Sequence, residues 1–146
     1  MLYRKAFATP VLSINQTYHE GDTVGTLMQF DFRENKPNGY VHRLTIIDNN
    51  EEVKAALALF LFDGLPSVQA NHQPFHPSAA DMRLLIGTIA VESADYSHRY
   101  VNKAGHGLDF DLNDKYIYAY AVCRDTTPTF KAADDLTFKL GIYLNI

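Results

Sequence analysis

Leu136-Thr137-Phe138-Lys139-Leu140-Gly141-Ile142-Tyr143-Leu144 puts an apolar side chain at every second position. A repeat of two is that of a β-strand, so Leu136, Phe138, Leu140, Ile142 and Leu144 share one face. Thr137, Lys139, Gly141 and Tyr143, with Asn145 beyond, share the other, and the run reads as a half-buried strand. Upstream, Tyr116-Ile117-Tyr118-Ala119-Tyr120-Ala121-Val122-Cys123 sets Ile117, Ala119, Ala121 and Cys123 against three tyrosines and Val122. Both of its faces need cover, as in a central strand or one whose tyrosine face meets a partner. Between the two runs, Arg124-Asp125-Thr126-Thr127-Pro128-Thr129 is a turn-rich connector ending near Asp134-Asp135.

The same period continues toward the N-terminus. Residues 24–32 read as a strand with Leu27, Gln29 and Asp31 opposite Met28, Phe30 and Phe32. Asn35-Lys36-Pro37-Asn38-Gly39 then turns the chain, because Pro fixes φ and Gly accepts a positive one. Residues 40–48 form the next strand, ending at the turn signal Asp48-Asn49-Asn50. Further short strands are expected at residues 10–15, 87–91, 100–103 and 108–112. Residues 51–62 carry two periods: Val53, Ala56, Leu57, Phe60 and Leu61 share a helical face, yet Leu57, Leu59 and Leu61 also alternate. The strand neighbours favour a buried strand from about Ala55, in a hairpin with residues 44–47. One short helix is expected near residues 78–85, where Ser78 and Asp81 resemble a capping box. Residues 64–76, with Pro66 and Pro74, form the longest candidate loop. About eight antiparallel strands and one short helix predict an all-β protein, a jelly-roll-like β-sandwich. The expected layout is an N-terminal arm over residues 1–10 and a single sandwich domain over 11–146.

Composition narrows the function classes. Thirteen Lys and Arg stand against 17 Asp and Glu, a net charge of −4 with no basic run, which argues against nucleic acid as partner. With 47% hydrophobic and 21% charged residues across 146, the chain is not intrinsically disordered and is long enough for one ordinary core. No apolar stretch reaches the roughly 18 residues of a membrane span. The N-terminal residues carry cations without a following apolar region, so they do not read as a signal peptide. Cys123 is single, which rules out an intramolecular disulfide, and its strand context reads as a buried thiol.

No constellation points to catalysis, a cofactor or a metal. His72 and His76 have a ligand-like spacing, but Pro74 between them breaks the helix that would align them. Asp109 with Asp111, and Asp134 with Asp135, are paired carboxylates set beside turn residues, where acids cap and solvate. No serine sits in a G-x-S-x-G elbow, and Gly105-His106-Gly107 is a turn and not a phosphate cradle. The tyrosines are the more informative feature. Tyr96, Tyr100, Tyr116, Tyr118, Tyr120 and Tyr143 could stack sugars, line a protein interface or pack the sandwich, and sequence leaves all three open.

The order of segments carries a resemblance. Tyr18-His19-Glu20-Gly21-Asp22-Thr23-Val24-Gly25 leads to Leu44-Thr45-Ile46-Ile47-Asp48 and then to Lys54 through Asp63. Asn71, Phe75, Pro77-Ser78-Ala79-Ala80-Asp81, Ile86-Gly87-Thr88-Ile89 and Ala94-Asp95-Tyr96 follow. Cys123 to Phe130 and Asp134 to Ile142 complete the series. Over residues 18–142 the chain resembles small tailed-bacteriophage virion proteins, similar to head decoration (cement, or auxiliary capsid) proteins. The resemblance implies a jelly roll, a strand at 55–62, and a non-enzymatic role on the capsid exterior of the virion. It also implies the major capsid protein as partner and a homo-oligomer, dimer or trimer, made in the host cytoplasm. Residues 1–10 lie outside the match. Leu2, Tyr3, Arg4, Lys5 and Phe7 form an apolar and basic stretch expected to dock on the shell as an arm. The loop carrying Val68, Phe75 and His76 is a second expected contact. A carbohydrate-binding or host-recognition module on the virion surface is the alternative.

Overall fold

A computed structural model describes residues 1–35, 37–49 and 53–145. The strands are β1 (Leu2–Ala8), β2 (Thr23–Asp31), β3 (Asn38–Asp48), β4 (Leu57–Phe62), β5 (Leu85–Val91), β6 (Tyr100–Asp111), β7 (Tyr116–Cys123) and β8 (Leu136–Leu144). A helical turn, α1 (Ala79–Met82), and a 3-10 turn at Ser93–Asp95 lie between β4 and β6. One sheet has the order β1-β8-β3-β6 and the other β2-β7-β4-β5, with every pair antiparallel. Each connection crosses from one sheet to the other except that between β4 and β5. Two interlocked Greek keys of this order are a jelly roll.

The alternation seen in the sequence builds the core. Leu136, Phe138, Leu140, Ile142 and Leu144 on β8 face Met28, Phe30, Leu59, Leu61 and Ile117 of the second sheet, all buried in one cluster with Leu44 and Ile46 of β3. Each such aliphatic or aromatic side chain contributes about 1.5–3 kcal/mol by leaving water. The core therefore lies between the sheets and leaves two outer faces, which is where the molecule can differ from a generic sandwich.

Four sequence expectations are corrected. Residues 1–10 are not a free arm: Leu2–Ala8 is edge strand β1, paired along its length with β8 from Leu2 opposite Leu144 to Ala8 opposite Phe138. The strand at 55–62 does not form a hairpin with residues 44–47, because β3 and β4 belong to different sheets. At that crossing, buried Asp48 accepts a hydrogen bond from the Lys54 N–H at 2.9 Å, and Lys54 takes φ +46°. Asn50, Glu51 and Glu52, part of the expected turn and of the helical alternative, lie outside the described residues, as does Lys36 of the earlier turn. Residues 10–15 hold no strand; they run as irregular chain touching Phe130 through a single bridge at Ile14. Pro10 sits against Gly25, whose φ is +83° and where an added Cβ would stand 2.7 Å from Pro10 Cβ. Finally, residues 100–103 and 108–112 belong to one long strand, β6, bulged between Ala104 and Leu108 around Gly105 and Gly107, both at positive φ.

Candidate functional site: two outer faces

The outer face of the first sheet carries the even-spaced residues left over from core packing. Three tyrosines line up across adjacent strands, Tyr3 on β1, Tyr143 on β8 and Tyr40 on β3. Ring centroids are 5.1 Å apart for Tyr3 and Tyr143 and 5.4 Å for Tyr40 and Tyr143, the second pair stacked. A bulge between Val41 and Arg43 turns His42 outward as well, edge-on to Tyr143 at 5.3 Å. Gly141 precedes Tyr143 by two residues, and the Tyr3 hydroxyl occupies the space a Cβ at that position would need. Lys5 and Arg43 flank Gly141 in the ladder, and Lys139 lies over the Phe7 ring at 5.7 Å. Among the described residues, Lys5, Arg43 and Lys139 have no carboxylate within ion-pair distance. Phe7 is 56% exposed and Tyr3 39%. Among the described residues, no loop ring packs against this row.

The outer face of the second sheet is built alike but covered. Phe60 and Phe62 of β4 and Tyr116, Tyr118 and Tyr120 of β7 form a second apolar cluster with Leu27, Phe75, Leu84 and Leu85. Residues 64–83 lie across it. Phe75 packs 4.8 Å from Phe60 and 5.8 Å from Tyr120, and the Tyr120 hydroxyl accepts from the Gln69 N–H at 2.9 Å. Gln69 closes the loop on itself, its side chain donating to the His76 carbonyl and accepting from the His76 N–H. At its far end the loop is tied to α1, where Ser78 and Asp81 form the expected capping box. Asp81 also accepts from both the hydroxyl and the N–H of Ser67. The Ser67 hydroxyl chiefly, with the Ser67 and Ser78 N–H groups, holds the Asp81 carboxyl down at about 2, against the opposing effect of burial.

A polar rivet joins this cover to the sandwich. The Asn71 side-chain carbonyl accepts from the Tyr18 hydroxyl at 2.7 Å and the Gly25 N–H at 2.8 Å, and its amide donates to Ser13 at 3.1 Å. Tyr18 is fully buried, accepts from the Ser13 N–H, and packs 4.5 Å from the His72 ring.

The expected contact residues separate accordingly. Tyr3, Lys5 and Phe7 project from the bare face. Leu2 and Arg4 point toward the opposite sheet, with Arg4 ion-paired to Glu34 at 3.4 Å. Phe75 is an anchor of the covering loop and not a free contact, whereas Val68, 90% exposed, and His76 stand on its outside. The six tyrosines named from sequence do not assemble into one platform. Tyr96 is buried and donates to the Ala55 carbonyl, and burial raises its hydroxyl pKa. Tyr118 is buried, and burial chiefly, with the Asp114 carboxylate its hydroxyl donates to, pushes its pKa up to about 12. Tyr143 alone joins the bare tyrosine row. Tyr40, His42 and Arg43 were missed there, although the alternation of Tyr40, Val41 and His42 was available to place two of them. Among the described residues no three His, Cys, Asp or Glu side chains gather as metal ligands. Cys123 is buried, donates to the Thr126 carbonyl, and has its pKa raised by desolvation. Asp135 is a buried turn acid accepting from the Lys131 and Ala132 N–H groups.

No family model and no curated protein matches the sequence. Among solved structures, the coat protein of Tobacco streak virus is similar at 11% identity and a TM-score of 0.34, over 95% of this chain and 85% of that one. The jelly-roll assignment rests on this chain's own strand order.

Proposed function

We propose that the chain is a non-enzymatic virion protein that decorates and stabilises a bacteriophage capsid, with the major capsid protein as its partner. One observation carries the reading. A jelly roll that covers one aromatic outer face with its own loop carries on the other a tyrosine row beside Lys5, Arg43 and Lys139, none with an ion-pair partner among the described residues. Tyr and Arg are the side chains that anchor protein interfaces, and a partly exposed set of them across three strands is what a docking face requires. Modest affinity per copy suffices for a cement protein, since a homo-oligomer bound at many lattice points acts by avidity.

The test is saturable co-sedimentation with expanded empty heads of the phage that encodes the chain. Wild type binds, and a Tyr40→Ala/Tyr143→Ala double variant binds at least tenfold more weakly. Absence of head binding, together with glycan capture on an array, would replace this reading by a carbohydrate-recognition module.

A further inference from the structure

The corner where β1 and β2 run beside each other is open. β1 is the last strand of its sheet and pairs only with β8, and β2 is the last strand of the other and pairs only with β7. Between them lies a groove of about 630 Å³ lined by Arg4, Lys5, Phe7, Gln29, Asp31 and Glu34, among others. Among the described residues, the backbone groups of Leu2–Ala8 that point away from β8 meet no hydrogen-bond partner. Such an edge is a template for another strand, because each added backbone bond replaces one to water and the register is already laid out.

The charges select the occupant. Antiparallel pairing of β1 with a second copy at full length centres on Lys5 and sets two ammonium groups opposite one another. Centring on Arg4 opposes two guanidinium groups, and centring on Ala6 leaves only residues 4–8 paired. A strand from another protein with an acid facing Lys5 meets neither penalty. Arg4 has Glu34 as an ion-pair partner at 3.4 Å, whereas Lys5 has none among the described residues.

We infer that the β1 edge accepts an extended segment of a different protein chain as an added antiparallel strand, with an acidic side chain opposite Lys5. The β6 edge is less suited, since its bulge at Gly105 and Gly107 breaks the ladder a guest would follow. The edge adjoins the bare face, sharing Tyr3 and Lys5 with it, but its test reads backbone pairing along β1 and so stands apart from capsid binding.

The experiment titrates the isotope-labelled full chain with a capped peptide alternating Val and Glu over seven residues. Two controls are its Val/Lys counterpart and a version N-methylated at alternate amides. The expected result is amide shifts confined to residues 2–8 and 29–34, with slowed amide exchange on β1. The Lys peptide and the N-methylated peptide should each bind at least tenfold more weakly, and Lys5→Glu should reverse the preference for sign. Shifts centred on β6 or on Tyr40 and Tyr143, equal binding of the N-methylated peptide, or no binding at all would overturn the inference. So would a concentration-dependent dimer of the wild type with the same amides protected.

Discussion

The two outer faces of this sandwich start from the same material and end differently. Both carry aromatic side chains across neighbouring strands, Phe60, Phe62, Tyr118 and Tyr120 on two strands of one and Tyr3, Tyr40, Tyr143 and Phe7 on three strands of the other. The connection from β4 to β5 is the one that stays within a sheet, and its 64–83 segment spreads over the first set. Among the described residues, the second set has no such loop ring packed on it. Aromatic content therefore does not say whether a face is core or contact; the routing of the connecting chain does. If that is right, substitutions on the covered face cost stability and those on the bare face do not.

The largest expected effect is at Phe62, fully buried beneath the cover with Tyr118 and Tyr120. Phe62→Ala should lower stability by about 3–5 kcal/mol, read as the denaturant midpoint at constant m. A loss under about 1 kcal/mol would mean that the segment 64–83 does not seal that face. Next comes the rivet. Asn71→Ala removes the acceptor of Tyr18 and Gly25, leaving two buried donors unsatisfied, and should cost roughly 2–4 kcal/mol. The same substitution tests whether loop and sandwich unfold together, since amide exchange at Gln69 and His76 should rise with the global rate if they do.

Asp81 gives the comparison a pH axis. Its carboxyl is held at about 2 in the fold, below the ordinary 3.8, so its contribution is fully present above pH 4 and is lost as pH falls through about 2. Protonation releases Ser67 and Ser78 and loosens the cover first. Near-UV circular dichroism of the tyrosines, followed from pH 4 to pH 2, should fall in wild type and stay flat in Asp81→Asn. That variant should already be destabilised by about 1–2 kcal/mol at neutral pH. A wild-type profile identical to that of Asp81→Asn would show that the loop is held by packing and not by the capping box.

Much of the scaffold could be read from periodicity, for a physical reason. β7 and β8 have one face or both in the core, so their apolar side chains repeat without interruption, and the expected bounds of 116–123 are those of β7. β1 was missed because an edge strand pairs on one side only. Its inward positions are Arg4, Ala6 and Ala8 and its outward ones Tyr3, Lys5 and Phe7, a pattern in which neither face is uniformly apolar. The expected hairpin between residues 44–47 and 55–62 failed because adjacency in sequence favours pairing, whereas a jelly roll sends successive strands to opposite sheets. For the bare face, the sequence points to Tyr3, Lys5 and Phe7 as parts of one arm and to Tyr143 as one of six tyrosines, but only the β1–β8–β3 register puts them beside Tyr40, His42 and Arg43. Long-range register is not written in any local stretch.

The smallest expected effect on stability is the sharpest discriminator between the faces. Tyr143 packs against Tyr3, Tyr40 and His42 on the outer face, itself half-buried and with its backbone held by β1 and β3 on either side. Tyr143→Ala removes ring contacts that water largely replaces, so it should cost about 1 kcal/mol or less. A matched Tyr120→Ala on the covered face removes a buried ring and the acceptor of the Gln69 N–H, and should cost several times more. Equal losses at the two positions would mean that the tyrosine row is a packing layer in its own right. A silent Tyr143→Ala retains its native exchange protection and leaves the row with one purpose consistent with its cost: contact with something outside the chain.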